Sequence, residues 1–258
     1  IVWLLSIAGA VVFGAALAFL PAYLQATRGS HVVITTIMFN FIAASLMVFL
    51  LVDVIRDTAQ MGPHTVALPK EQWFPSFKDF AGLFGIKIRY SPLNISFLLA
   101  IAASVFVWFL VWKTRWGYEM RAVGHNTQAA IYAGISPYKN IIIAMCISGG
   151  LAGLLGVNEI LGVHHKIVAG FPAGYGFTGI AVALMGRNHP IGIFPAAFLF
   201  GILYQGGSEV TFDMPNITRY MFVAVQGVII LFSGALENLF RPQIESFFVN
   251  RLNIKASA

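Results

Sequence analysis

The chain has 258 residues, 58% of them hydrophobic and 10% charged, with a mean hydropathy of +0.80; soluble domains carry about 25% charged residues, so a water-soluble enzyme or binding module is excluded and an integral membrane protein is expected. The formal net charge is +6. Its basic residues lie between and beyond apolar runs, where the positive-inside rule accounts for them better than phosphate recognition, and no nucleic-acid partner is expected.

Apolar runs near the 20 residues that a bilayer crossing requires occur at 1–20, 32–52, 93–112, 140–161 and 219–236. The sequence opens at Ile1 without a Met, a basic stretch or a small-residue cleavage site. No signal peptide is expected there, and further membrane helices are expected upstream. In the second run Thr36 and Asn40 stand four apart on one face. They suit either a path for a hydroxyl-rich solute or an interhelical hydrogen bond.

Residues 53–92 form the longest loop, with Pro63, Pro69, Pro75 and Pro92 and the aromatic set Trp73, Phe74, Phe77 and Phe80. This set suits a segment lying in the membrane interface or an aromatic belt with no partner. In the run 140–161 the lone Cys146 leaves no disulfide framework. Gly149 and Gly153 of "SGGLAGLLG" stand in small-xxx-small register, as close helix packing or helix sliding would require. Asn158 and Glu159 close this run, and a hydrated position at the outer interface is expected for Glu159. His164, His165 and His189 lack a carboxylate or thiolate at ligand spacing, so no metal site is expected.

The next apolar stretch is broken at "GRNHP" into pieces at 175–186 and 190–206, read as a half-crossing helix and a full one. The break is either the wall of a pathway or a tight turn. A faint repeat relates "LPAYLQATRGSHVVITTIMFNFIAASLMVFL" to "LYQGGSEVTFDMPNITRYMFVAVQGVIILF", a pattern that inverted repeats of transporters would give. If residues 113–139 are cytoplasmic, alternation places Arg28, Lys113, Arg115, Arg121, Lys139, Arg187, Arg241, Arg251 and Lys255 inside. Arg56, Lys70, Lys78, Lys87, Arg89, Lys166 and Arg219 then lie outside, a weak bias of nine against seven.

The polar island "GYEMRAVGHNTQAAIYAGISPYKN", residues 117–140, carries its own local signals. Asn126 is a good N-cap for a helix of about two turns from Thr127, and Gly134 is the natural residue to end it. Ser136 and Pro137 then restart a helix that leads into the next span. So short a helix is marginal alone and requires a partner surface. Ala129, Ala130 and Ala133 leave one flank small, while His125, Asn126 and Tyr132 offer polar and aromatic edges. The partner is either the chain's own spans or a groove on a cytoplasmic subunit.

The stretch "GYEMRAVGHNTQAAIYAGI" resembles the coupling loop of ATP-binding-cassette importer permeases of the simple-sugar, nucleoside and branched-chain amino-acid type. "GYGFTGIAVALMGRNHPIG" is similar to their later signature, and "ITTIMFNFIA" is most like the nucleoside and simple-sugar branch. The resemblance covers essentially the whole chain and implies an all-α polytopic membrane bundle. About six or seven membrane segments belong to this chain, within a permease of about ten helices built as two inverted halves. Residues 1–258 would form one transmembrane permease domain, with 53–92 as an extracytoplasmic loop and 113–139 as the cytoplasmic coupling loop.

The resemblance assigns Gly124, His125, Asn126, Ala129, Ala130, Gly134 and Ile135 to docking on the ATPase. It places Gly174, Gly176, Phe177, Gly179 and Ala181 on a signature helix near the pathway, to which the polar face of Thr36 and Asn40 in the second run is added on its own chemistry. Thr178 stands where relatives often carry an acid, and Arg187 with His189 replaces a more neutral turn, which touches substrate identity rather than class. No phosphate-cradling glycine loop with Lys and Ser or Thr is present, nor a Ser, His and Asp set. The chain is therefore expected to be no enzyme and to need no cofactor. The partners implied are a cytoplasmic ATPase, a second and different permease chain, an extracytoplasmic substrate-binding protein and the lipid of a bacterial inner membrane. A self-contained secondary transporter or channel is the alternative, although the spans lack the buried acidic pair that ion coupling commonly uses.

Overall fold

The computed structural model describes residues 2–55, 62–76, 93–171, 174–213, 221–229 and 231–232. They are helical apart from short connections. The order is α1 (Val2–Arg28), α2 (Val32–Phe49), α3 (Ser96–Lys113), α4 (Arg115–His125), α5 (Thr127–Tyr132), α6 (Pro137–Val157), α7 (Tyr175–Met185) and α8 (Pro190–Asp213). Five of the helical stretches are long and apolar enough to cross a membrane: Val2–Arg28, Val32–Val54, Ser96–Lys113, Pro137–His164 and Pro190–Val210. Of the predicted run 219–236, residues 221–229 and 231–232 are helical and the rest lies outside the described residues. The second arm of the faint repeat is likewise only partly described.

The chain divides into two compact units, Ile1–Ala173 and Gly174–Ala258. In the first, α1 and α6 form the dominant helix pair. Gly14 packs against the backbone of Gly149, Ala18 against Gly149, and Ala10 against Gly153. The two series run in opposite directions, so the helices are antiparallel. A Cβ at Gly14, Gly149 or Gly153 would overlap a carbonyl of the other helix. Small residues thus bring two backbones into direct contact, as packing in lipid requires, because lipid supplies no hydrophobic force between helices.

Helix α1 continues past the expected end near residue 20, through Pro21, to Arg28. A proline removes one ladder bond, but the Ala, Tyr, Leu and Gln that follow are serviceable helix formers, and the turn ends only at Gly29 with φ 63°.

The segment 62–76 folds over one end of this unit. Phe74 is buried with Val157 and Leu161 against Ile7, Ala10, Leu68 and Ile95. Its ring meets Trp3 edge to face with centroids 6.0 Å apart, and Trp3 Nε1 donates to the Gln72 carbonyl at 3.0 Å. The backbone N–H of Phe74 donates to the Leu161 carbonyl at 2.9 Å, and that of Leu68 to His165 at 2.8 Å. Trp73 stacks on His165 at 3.7 Å. Trp73 and Phe74 therefore have partners within the chain and are no free-standing belt; Phe77 and Phe80 lie outside the described residues. Burying one such ring is worth about 1.5–3 kcal/mol where it leaves water.

Helices α2 and α6 both end in π turns, at Leu50–Val54 and Asn158–His164. At the second, Asn94 and Ser96 from the start of α3 meet Asn158. Helix α3 is therefore antiparallel to α6. It follows that Arg28, Lys113, Arg115, Arg121 and Lys139 share one end of the unit, accompanied by Glu119, whereas Lys70 and Lys166 share the other with Glu71 and Glu159.

In the second unit α7 has 11 residues. At 1.5 Å each these cover about 16 Å, roughly half of a hydrocarbon core. The "GRNHP" break is a tight turn in which Arg187 and Asn188 adopt φ values of 55° and 53°. Asn188 N–H returns to the Ala183 carbonyl at 2.8 Å. Gly186 and Gly192 let α7 and α8 touch, since a Cβ at Gly186 would come within 2.7 Å of Ile193 N.

Candidate coupling site and translocation face

The polar island is two helices rather than one. Thr114 has extended backbone, and its Oγ1 accepts from the Gly117 N–H at 3.2 Å, starting α4 directly at the end of α3. Gly117 is required there because a side chain would overlap the Leu110 and Val111 carbonyls. The Arg115–Glu119 pair at 3.0 Å lies four residues apart on the exposed face and adds about 0.3–0.5 kcal/mol.

Asn126 then caps α5: its Oδ1 accepts from Gln128 N–H at 3.0 Å and Ala129 N–H at 3.1 Å. Gly134 closes the helix with φ 76°, and the Ile135 N–H returns to the Ala130 carbonyl at 2.9 Å. Pro137 is the first residue of α6. Ser136 has the extended backbone of a cap, but its side chain makes no capping bond; its carbonyl instead accepts from the buried Asn140 at 3.0 Å. The expected helix is thus capped at both ends and joined to a span without slack.

The structure sorts the residues carried over from the resemblance. Gly124, His125, Asn126, Ala129 and Gly134 are exposed, and Ile135 is half-buried. Ala130 is only 3% exposed, so the alanine flank is not uniformly free for an outside partner. The outward face is aromatic: Tyr132 is 92% exposed and Ile131 51%, with Trp116 and Tyr118 exposed on α4. Helix α4 went unread in the sequence, although Thr114 before "RWG" was its capping signal.

On α2 the Thr36 hydroxyl donates back to the Val32 and Val33 carbonyls of its own helix at 2.9 and 3.1 Å. It makes no interhelical bond among the described residues. Asn40 lies one turn further on, exposed on the apolar helix. In the second unit Gly174 sits at the start of α7 with φ 82°, a conformation that favours glycine. Around Gly174, Gly176 and Gly179 a Cβ would meet nothing within 4 Å, and Phe177 is 70% exposed. The start of α7 is therefore an open, small-residue surface within its unit. Ala181, by contrast, is buried.

At the far end of α6 lies a polar cluster that the sequence left unassembled. Asn158 Oδ1 accepts from Ser96 Oγ and from Asn94 Nδ2, while Asn158 Nδ2 donates to Glu159 Oε1 at 3.2 Å. His164 Nε2 stands 3.5 Å from Glu159 Oε2. Glu159 is 7% exposed, so its carboxyl group meets these partners and not the hydration expected for it. His165 turns the other way, with φ 55°, its Nδ1–H donating to the Leu161 carbonyl at 3.2 Å. Burial against Trp73 pushes its imidazole below the usual range, with His164 adding to the shift and the carbonyl opposing it.

The family of branched-chain amino acid transport system permease components matches residues 1–234. The chain belongs to this family, whose members are permease components and not themselves catalytic. Among its relatives is the guanosine ABC transporter permease protein NupP of Bacillus subtilis (strain 168), 36% identical over 219 residues, covering 83% of this chain and 59% of the relative. The nucleoside ABC transporter permease protein NupB of Lactococcus lactis subsp. cremoris (strain MG1363) is 36% identical over 226 residues, 83% of this chain and 59% of the relative. A second nucleoside permease protein of the same strain, NupC, is 28% identical over 238 residues. The glucose ABC transporter permease protein TsgB13 of Haloferax volcanii is 32% identical over 249 residues, 95% of this chain and 64% of the relative. The chain thus spans less than two thirds of the length of NupP, NupB and TsgB13, and 73% of that of NupC. No solved structure matches it.

Proposed function

We propose that this chain is part of the membrane-spanning permease of an ATP-driven importer that moves a nucleoside or a simple sugar across a bacterial cytoplasmic membrane by alternating access. The observation that carries the reading is the short helix α5, capped by Asn126 and Gly134 and presenting Tyr132 outward at the basic end of the unit. A rigid protrusion of this kind, rooted directly in α6, suits a groove on a cytoplasmic ATPase. Among the described residues, the grouping of Arg28, Lys113, Arg115, Arg121 and Lys139 at that end supports its cytoplasmic placement. The contacts most suited to docking are Tyr132, Ile131, His125 and Ala129, with Ala130 anchoring the helix to its own span.

Solute class rests on the names of the relatives, three concerned with guanosine or nucleosides and one with glucose. All are neutral solutes rich in hydroxyl groups. Asn40, exposed beside Thr36 on α2, and the open glycine surface of Gly174, Gly176 and Gly179 on α7 are the groups we assign to the path. The presence of NupB and NupC in one strain supports a second, different permease chain as partner. An extracytoplasmic binding protein would deliver solute to the end covered by residues 62–76. The two halves of such a permease would be inverted repeats.

The test is site-specific crosslinking from Tyr132→Cys in a Cys146→Ser background, in native membranes. Capture of an ATPase subunit in a nucleotide-dependent manner is the expected result. A thiol at position 132 that reacts freely with aqueous reagent yet captures no protein would overturn the reading in favour of a self-contained transporter.

A further inference from the structure

Helices α1, α3 and α6 line an open apolar groove of about 460 Å³, whose walls include Leu99, Ala103, Phe106, Cys146 and Leu154. Its size lies within the range of about 300–1,000 Å³ usual for small-molecule sites. The described residues offer it almost no polar group. By itself such a groove says nothing about its occupant. The register of the two helices beneath it does.

Lys113 follows Phe106 by seven residues on α3, and Lys139 precedes Cys146 by seven on α6. Seven residues advance a helix by nearly two full turns and about 10 Å, so each lysine lies on the same face as the groove residue above it. Since α3 and α6 are antiparallel, both steps lead to the same end. Two exposed ammonium groups therefore stand below one apolar slot, each about 10 Å from its lower rim. Depth is marked independently: Lys113 Nζ lies 5.7 Å from the Trp108 ring centroid, and Trp108, Trp112 and Trp116 recur at four-residue intervals there. Tryptophans so placed settle at headgroup level.

We infer that the slot holds one acyl chain of an anionic phospholipid of the cytoplasmic leaflet, with the phosphate held between Lys113 and Lys139. An acyl chain satisfies an apolar lining that asks for no hydrogen bond. The paired lysines distinguish an anionic from a zwitterionic headgroup, because the latter brings its own cation to the same place. The inference rests on the basic end being cytoplasmic and is independent of which solute is carried.

The experiment uses the protein in phosphatidylcholine liposomes doped with a phosphatidylglycerol that carries a diazirine midway along one chain. After illumination, labelled peptides are mapped by mass spectrometry, alongside a phosphatidylcholine probe with identical tails. Labelling concentrated at Phe106 and Cys146 is expected with the anionic probe. It should fall about fivefold with Lys113→Gln or Lys139→Gln, the weight of one basic group beside an anionic surface. Both lysines are exposed, so an unchanged unfolding midpoint will show that the variants fold. Equal labelling by the two probes would overturn the headgroup assignment. Labelling elsewhere on the chain with none in the slot would mean that another helix of the assembly fills it, and would overturn the inference outright while leaving the ATPase crosslink from position 132 unaffected.

Discussion

Substitution of Gly149 by valine tests the helix pair on which the first unit is built. A Cβ at this position would overlap Ala18 Cβ and the Gly14 carbonyl, where ordinary contact begins at 3.4 Å. The axes must therefore separate by on the order of 1 Å, and close-packed interiors absorb such shifts poorly. Overpacking of this kind costs about 1–3 kcal/mol. Four residues away along the same seam, Gly153 faces Ala10 equally tightly, so the helices cannot pivot around a loose neighbour. Gly156, on the same helix, has nothing within 4 Å of its absent Cβ. Gly156→Ala should then show only the gain in helix propensity, about 1 kcal/mol in the opposite direction. Thermal unfolding in detergent, followed by reaction of Cys146 with a thiol-sensitive dye, separates the two. At about 2–4 °C per kcal/mol, Gly149→Val should lower the midpoint by about 2–12 °C and Gly156→Ala should leave it level or raise it. A Gly149→Val midpoint at or above that of the parent protein would refute the direct backbone contact.

Asn126→Ala should remove about 1 kcal/mol from a helix of about two turns, and transport by the reconstituted importer should fall more than solute binding does; Asn126→Asp, which keeps an acceptor, should restore most of it. Asn158→Leu should cost about 1–3 kcal/mol because it removes the amide that donates to the buried Glu159 side chain, and the combined Asn158→Leu, Glu159→Leu protein should recover part of that loss in the same unfolding assay. The stacked Trp73–His165 contact has a definite sign with pH. A folded-state imidazole held below its usual range favours the neutral form, so its contribution is complete above about pH 6.5 and is lost as pH falls through the lower folded value. The emission difference between the protein and its Trp73→Phe variant should titrate with a midpoint below 6.5; a midpoint above it would contradict the assigned burial.

How much of this was readable in advance depended on how local the cause is. Asn126, Gly134 and Pro137 act within a few residues of themselves, so their capping roles followed from composition alone. Gly149 and Gly153 announced a close approach, but the partner, Ala10 to Ala18 on α1, lies well over one hundred residues away and leaves no trace near them in the sequence. Glu159 reads as hydrated because it closes an apolar run; its neighbour Asn158 is drawn into a buried cluster by Asn94 and Ser96, which only the turn of α3 back toward α6 brings there. Arg187 and Asn188 both take positive φ values that a residue scan assigns first to glycine, which is why a tight turn at "GRNHP" could not be told from a pathway wall. The buried side of Ala130 was equally hidden, since an alanine offers no signal of which neighbour it touches.

Helix α6 begins directly after Ser136 and ends in the π turn that carries Asn158, Glu159 and the Phe74 contact. Its 21 residues measure about 31 Å, and the glycine seam clamps its middle against α1. A rod held in this way resists bowing. A displacement applied where α5 joins it would be carried along its axis toward the segment 62–76 at the opposite end of the unit, with α1 moving as part of the same strut.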